Sequence, residues 1–134
     1  MGSAALLVKR VQGGDNADLL ILTRQSLDAL TKEGKAVAGA DAVFASSGMG
    51  LVVKQGSPKP DISTPEAFKQ TLLKAKAIAY TNPAYGGASG VYMGKLMERM
   101  GIAEEMKPKT KHPPASGNAA RLVVSGEADL AIQQ

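Results

Sequence analysis

Residues 77–92 read AIAYTNPAYGGASGVY, and this stretch decides the fold class. Its first four residues form a short apolar run of the kind that is typical of a buried parallel strand. A polar loop with three glycines follows, and between positions 91 and 100 the apolar residues recur at helical spacing. A strand, a loop and an amphipathic helix in this order predict one repeating unit of an α/β fold.

The same alternation extends outward in both directions. Ser3 can cap a first helix that ends near residues 13–14, and Thr64 followed by Pro65 is a strong helix start. Further helices are predicted at 23–34 and 118–124, and further strands at 17–22, 42–53, 107–112 and 130–132. Strands that alternate with helices predict an α/β fold with a mixed sheet flanked by helices.

The composition excludes several classes of protein. The chain has 134 residues, 44% of them hydrophobic, and no cysteine, which predicts one globular unit without disulfides or thiolate metal sites. His112 is the single histidine, so neither a metal site nor a cofactor is expected. The net charge of +4 is spread along the chain without a basic block, which argues against nucleic-acid binding.

A separate expectation concerns membrane segments, export and the extent of the chain. No apolar run approaches the roughly 18 residues of a membrane span, and no signal peptide precedes the first helix pattern, so the chain as it stands is expected to be soluble and unexported. The first helix has no strand before it, and the last strand runs into Gln134. The chain therefore looks like the central fragment of a longer α/β protein.

The glycine loop that opens the helix after residue 85 is a candidate anion site. The first N–H groups of a helix are unpaired and carry the positive end of its dipole, and nearby glycines let an oxyanion approach them closely. Ser89 offers a hydroxyl, Gly90 and Val91 offer backbone donors, and Tyr92 offers a phenol. The alternative is a simple turn with Ser89 as helix cap. Nucleotide binding is not indicated, because neither the phosphate-loop nor the dinucleotide pattern is met.

Other small polar residues stand at the ends of predicted elements. The loop 113–118, with Ser116 and Gly117, also precedes a helix, and ligands of open α/β sheets bind at the carboxyl ends of the strands. Ser47 interrupts the extended segment 42–53, and His112 is expected at the surface. No serine elbow, zinc-binding histidine pair or cysteine nucleophile is present, so a binding protein is favoured over an enzyme.

Several stretches resemble the molybdate-binding-type periplasmic solute-binding proteins of ABC transporters. The stretches are GADAVFASSGMGLVV at 39–53, GSPKP at 56–60, DISTP at 61–65, SGVY at 89–92 and GEAD at 126–129. The resemblance implies two α/β lobes that close on a ligand, in the arrangement called type II. It places part of the first lobe in residues 1–43 and a nearly complete second, ligand-binding lobe in residues 44–134.

The resemblance also implies roles for individual residues. Ser3 matches the first-lobe serine that contacts the ligand, Ser89 matches the backbone donor at a helix start in the second lobe, and a further donor falls near Ser116. Gln134 stands where molybdate binders carry a tyrosine. The predicted ligand-binding residues are Ser3, Ser47, Ser89, Gly90, Val91, Tyr92, Ser116, Gly117 and Gln134.

The function that the resemblance implies is binding of a small anion as the receptor of an ABC importer, in the periplasm and with the transporter permease as partner. The ligand would be a molybdate-like oxyanion or a small polycarboxylate. The segments 89–92 and 132–134 are similar to a subgroup that includes aconitate isomerase, so the alternative is an enzyme that moves a proton on a tricarboxylate. Lobe surface left uncovered in a fragment would favour a homodimer.

Overall fold

A four-stranded mixed sheet forms the centre of the fold in a computed structural model, which describes residues 4–85, 88–114 and 117–134. Its strands are Gly50–Val53 (β1), Ile78–Ala79 (β2), Thr110–Lys111 (β3) and Leu130–Gln133 (β4), in the order β1-β4-β2-β3. β2 runs parallel to β3 and β4, whereas β1 is antiparallel to β4, with Gly50 opposite Gln133. The carboxyl ends of β2, β3 and β4 therefore meet the start of β1 at one edge.

Six α-helices occur within the described ranges, and they confirm the predicted α/β class. They are Ala4–Gln12 (α1), Arg24–Lys32 (α2), Pro65–Lys74 (α3), Ala88–Arg99 (α4), Ala103–Met106 (α5) and Ala120–Val124 (α6). None of the helices in these ranges is both long and apolar enough to cross a membrane.

Local sequence explains where two of the helices begin. The Thr64 hydroxyl accepts a hydrogen bond from the Ala67 N–H at 3.1 Å, and Pro65 occupies the first helical position of α3. The Thr23 hydroxyl accepts from the Ser26 N–H at 3.3 Å and caps α2. The predicted helix start at Thr64 and Pro65 and the predicted helix near residue 23 are thus confirmed.

Helices cover both faces of the sheet, with large side chains packed on one face and small ones on the other. Because side chains alternate across a strand, Ile78 and Ile132 point into a large apolar core with α3, α4 and α5, whose fully buried members include Leu72 and Met106. On the other face the small residues Ala79 and Ala131 pack against α6. Helices on both faces were predicted and are confirmed.

The predicted strand at 17–22 is wrong, because this segment pairs with no other strand among the described residues. Leu19 is 77% exposed, which shows that its apolar run is not buried. In the predicted strand 42–53 only β1 forms, and Phe44 is 78% exposed. An apolar run alone specifies an extended chain only when a neighbouring strand supplies hydrogen bonds and cover.

Two further predicted elements are shorter than expected. The edge strand predicted at 107–112 is β3, preceded by a 3-10 turn at Lys107–Lys109, and the helix predicted at 118–124 is α6. The Asn118 side chain accepts a hydrogen bond from the Ala120 N–H at 2.8 Å, which explains why regular helix begins only there.

α1 and α2 pack on each other as a helix pair before the sheet begins. Val11 and Leu30 are buried between them, and the Gln12 amide donates to both carboxylate oxygens of Glu33, at 2.9 and 3.0 Å. The assignment of residues 1–43 and 44–134 to two lobes stays a prediction.

Asp129 ties the start of β2 to the start of β4, and removing its carboxylate should weaken the sheet. Asp129 Oδ2 accepts from the Lys76 N–H at 2.7 Å, and the Asp129 N–H donates to the Ala77 carbonyl at 2.9 Å. We expect Asp129→Ala to lower the free energy of unfolding by about 1–3 kcal/mol, measured by urea denaturation. Asp129→Asn keeps an acceptor oxygen and should recover most of this loss. Equal losses in both variants would contradict the proposed role.

Candidate functional site

A cavity of about 1020 Å³, which we call the α1–α4 cavity, lies between the helix pair and the sheet. Its helix wall consists of residues of α1 and of the start of α2. Its sheet wall consists of residues of β1, β4 and α4, with Phe68 of α3. Gly50 and Gln134 on the sheet wall lie at the edge where β4 ends and β1 begins, and ligands of open α/β sheets bind at the carboxyl ends of the strands.

The sheet register brings two predicted site residues together at this edge. Gly50 at the start of β1 pairs with Gln133 at the end of β4, so the chain just before β1 lies beside the chain just after β4. The Gln134 amide donates to the Ser47 carbonyl at 3.4 Å, and both residues line the cavity. Antiparallel pairing thus joins positions that are 87 residues apart.

Ser89 is the buried polar residue of the sheet wall. It is 8% exposed and lines the α1–α4 cavity in the first turn of α4. Its hydroxyl makes no hydrogen bond with any residue in the described part of the chain. A hydroxyl that has no protein partner and belongs to a residue lining a cavity is available to a ligand. The alternative prediction, that Ser89 only caps its helix, has no supporting hydrogen bond among the described residues.

Val91 and Tyr92 extend this surface along the first turns of α4. Both residues line the cavity, as predicted. The Tyr92 ring is half-exposed, and the guanidinium carbon of Arg99 lies 5.9 Å from its centroid, in the range of a cation–π contact.

Gly90 lies away from the cavity and serves packing. A Cβ atom at this position would lie 2.1 Å from the Thr81 carbonyl oxygen and 3.2 Å from the Pro83 nitrogen. Only glycine therefore lets α4 approach the chain that leaves β2, and this approach positions Ser89.

The remaining predicted site residues are not brought to the cavity by the described structure. Ser3 and Ser116 lie outside the described residues, although Ala4, next to Ser3, does line the helix wall. Gly117 donates its N–H to the Pro114 carbonyl at 2.7 Å, and it is absent from the lining as described.

Two lysines that the sequence analysis missed give the cavity its charge. Lys9 of α1 lies on the helix wall and Lys95 of α4 on the sheet wall, and no aspartate or glutamate among the described residues lines the cavity. A helical lysine has the same sequence pattern whether it faces solvent or a cavity. Spacing could have predicted that Lys95 lines the cavity. Lys95 follows Val91 by four residues, which places both residues on one face of α4.

Most of the lining is apolar, with few polar groups, as is typical of small-molecule sites. The larger apolar lining residues are Val8, Met49, Leu51, Ile62, Phe68, Met93, Leu96 and Ile132. The described residues include no cluster of side chains that could hold a metal ion.

Tyr80 and His112 form a contact beside the cavity, at the ends of β2 and β3. Their rings meet edge to face with centroids 4.9 Å apart, and His112 Nδ1–H donates to the Tyr80 carbonyl at 2.9 Å. Burial raises the pKa of Tyr80, opposed by a hydrogen bond with Thr110. His112 is exposed, as predicted, but its ring is fixed by this contact.

Comparison with known proteins gives two matches. The family of bacterial extracellular solute-binding proteins matches residues 1–134, which include both walls of the cavity. The chain is also 36% identical over 126 residues to an aconitate isomerase from Pseudomonas sp.. That alignment covers 93% of this chain and 46% of the relative, so the chain spans about half the length of this curated protein.

Gly90→Ala should destabilise the protein by about 1–3 kcal/mol, because the added methyl group collides with the Thr81 carbonyl. Gly94→Ala on the same helix is the matched control. Its Cβ would lie 3.7 Å from the Pro83 ring, an ordinary contact, so it should stabilise α4 by up to about 1 kcal/mol. Thermal and urea unfolding measure both changes, and similar stability of the two variants would contradict the close approach of α4.

Stability at alkaline pH should depend on Tyr80. Because its pKa is raised above the ordinary 10.0, the folded state keeps a proton that the unfolded state loses as the pH rises through 10. The folded state then binds more protons, and the free energy of unfolding falls with rising pH. We expect a smaller alkaline loss for Tyr80→Phe in urea denaturation between pH 8 and pH 11. If Tyr80→Phe loses as much stability between pH 8 and pH 11 as the unmodified chain, Tyr80 is not the group responsible for the alkaline loss.

Proposed function

Because the chain belongs to the family of bacterial extracellular solute-binding proteins, we propose that it binds a small anion in the α1–α4 cavity. The family supports a binding role in general, and the unpaired hydroxyl of Ser89 is the observation that carries the proposal for this cavity. Ser89 stands in the first turn of a twelve-residue helix, where the helix dipole favours negative charge.

The charges of the cavity support an anion over a cation. Two lysines and several hydroxyl and amide groups line it, including Thr23, Ser26 and Gln25 on the helix wall. Carboxylates, which hold cations in proteins, are absent from the described lining. A ligand with negative charge thus finds hydrogen-bond donors on both walls and no repulsion from an acidic residue.

These contacts fit two chemical classes of anion. A molybdate-like oxyanion would be bound by hydroxyls and N–H groups near Ser89. A small polycarboxylate would use the same donors and also reach the lysines. Gln134, in place of the tyrosine of molybdate binders, can donate through its amide to either ligand.

We place this activity in the importer system that the family name suggests. In this proposal residues 1–43 belong to the first lobe, residues 44–134 form the second, and the cavity is the cleft between them. The protein would act in the periplasm and deliver its ligand to an ABC transporter permease. Ligand contacts on both walls would favour closure of the cleft, the hinge motion typical of binding proteins.

The second candidate function is an isomerase that moves a proton on a tricarboxylate. The 36% identity to an aconitate isomerase favours it. Such an enzyme needs a group that accepts a proton from carbon, and Tyr92 is the phenol that lines the cavity. Conversion of trans-aconitate to its cis isomer, followed by proton NMR, separates the two candidates, since a binding protein leaves the ligand unchanged.

Ser89→Ala should weaken anion binding without unfolding the protein. Loss of one hydrogen bond to a charged ligand should raise the dissociation constant by about tenfold or more, while stability without ligand should change little because the hydroxyl has no protein partner in the described chain. Calorimetric titration with molybdate, sulfate, citrate and trans-aconitate measures the affinities.

The matched control is Ser57→Ala, which removes an exposed hydroxyl from the turn after β1. It should bind each anion as the unmodified chain does. If both serine variants bind with unchanged affinity, the ligand does not contact Ser89 and the proposed site is wrong.

A further inference from the structure

We propose that Lys9 and Lys95 bind two separate carboxylates of one ligand, so that the α1–α4 cavity selects an aliphatic di- or tricarboxylate over a single oxyanion. The inference rests on the proposed anion-binding function and deepens it by naming the ligand class and the residues that choose it. Three observations support it: the placement of the two charges, the size of the cavity and the apolar part of its lining.

The two lysines lie on opposite walls. Lys9 belongs to α1 on the helix wall, and Lys95 belongs to α4 on the sheet wall. The ion pairs found among the described residues join Arg10 to Asp15, Arg24 to Asp41 and Lys107 to Glu104, so neither cavity lysine is neutralised by an acidic side chain there. Both lysines are exposed residues that line the cavity, and two such cations on opposite walls favour a ligand with two separated negative groups.

The cavity is too large for a single oxyanion. Pockets for ligands built on a carbon skeleton commonly measure about 300–1,000 Å³. At about 1020 Å³ the α1–α4 cavity lies just above this range. An ion of five atoms held at Ser89 would leave most of this space unfilled. A ligand with a carbon chain between its charged groups can fill more of it.

Much of the cavity lining on both walls is apolar. Val8 lies on the helix wall, whereas Leu51 and Leu96 lie on the sheet wall. Methylene groups of a ligand can pack against these side chains, while a fully hydrated or uniformly charged ion gains nothing from them. The lining therefore combines two cations on opposite walls with apolar side chains on both, a combination that suits an aliphatic chain that carries carboxylates.

A chain-length series tests the proposal directly on the 134-residue protein. The probes are acetate, malonate, succinate, glutarate and tricarballylate, with sulfate and molybdate as single oxyanions, all titrated by calorimetry. We expect at least one di- or tricarboxylate to bind about tenfold or more tightly than acetate, sulfate and molybdate, with a clear optimum of chain length. A higher affinity for sulfate or molybdate than for every carboxylate would overturn the proposal.

Charge-removing variants identify the residues. Lys9→Gln and Lys95→Gln should each weaken the best dicarboxylate by about tenfold, and the double variant should bind it no more tightly than it binds acetate. Lys32→Gln is the matched control, because it removes the same charge from an exposed position of α2 outside the cavity lining. It should retain the affinity and the length preference of the unmodified chain.

Failure of this inference differs from failure of the proposed function. If Ser89→Ala weakens anion binding but both lysine variants keep full dicarboxylate affinity, the cavity binds anions and the inference about the lysines is wrong. If the unmodified chain binds none of the seven probes, the proposed function and the inference both fall. Circular dichroism of each variant confirms that a loss of affinity is not a loss of fold.

Discussion

The pairing of β4 with both of its neighbours is the constraint on which the rest of the structure depends. Among the residues that the structure describes, β1 joins the sheet only through β4, and β3 joins it only through β2. Within β4, Ala131 faces α6 and Ile132 faces the main core, so one four-residue strand sets the spacing of both helical layers. Its end also places Gln134 beside Ser47. A change in β4 would thus act on the core and on the cavity together.

Ser89 owes its place at the cavity to its neighbour in the chain. The missing side chain of Gly90 lets α4 approach the Thr81 carbonyl, and in this position Ser89 is 8% exposed and lines the cavity. Its hydroxyl has no hydrogen-bond partner among the described residues, so an anion that accepts from it would break no hydrogen bond within the described protein.

The elements that could be predicted from the sequence are those that neighbouring residues in the chain determine. The caps at Thr23 and Thr64 need only residues within one helical turn, and the strands near Ile78 and Leu130 are apolar runs that the core buries. The segment 17–22 has a similar run, but a strand also needs a partner, which its own residues cannot specify. For the candidate site, Ser89 and Tyr92 followed from helix-start chemistry and from resemblance. The place of Lys9 and Lys95 in the cavity lining could not be predicted, because it depends on how α1 and α4 pack.

The two proposed functions, ligand binding and isomerisation, differ in whether the cavity needs a side chain that accepts a proton from the ligand. A lysine that stays charged to hold a carboxylate cannot at the same time accept a proton, so Lys9 and Lys95 cannot fill both roles at once. With aspartate, glutamate and histidine absent from the described lining, Tyr92 is left to take part in proton transfer. The guanidinium carbon of Arg99 lies 5.9 Å from the centroid of the Tyr92 ring, in the range of a cation–π contact. In the proposed isomerase, turnover of the ligand would therefore depend on Tyr92, whereas in our further proposal the choice of ligand would depend on the two lysines.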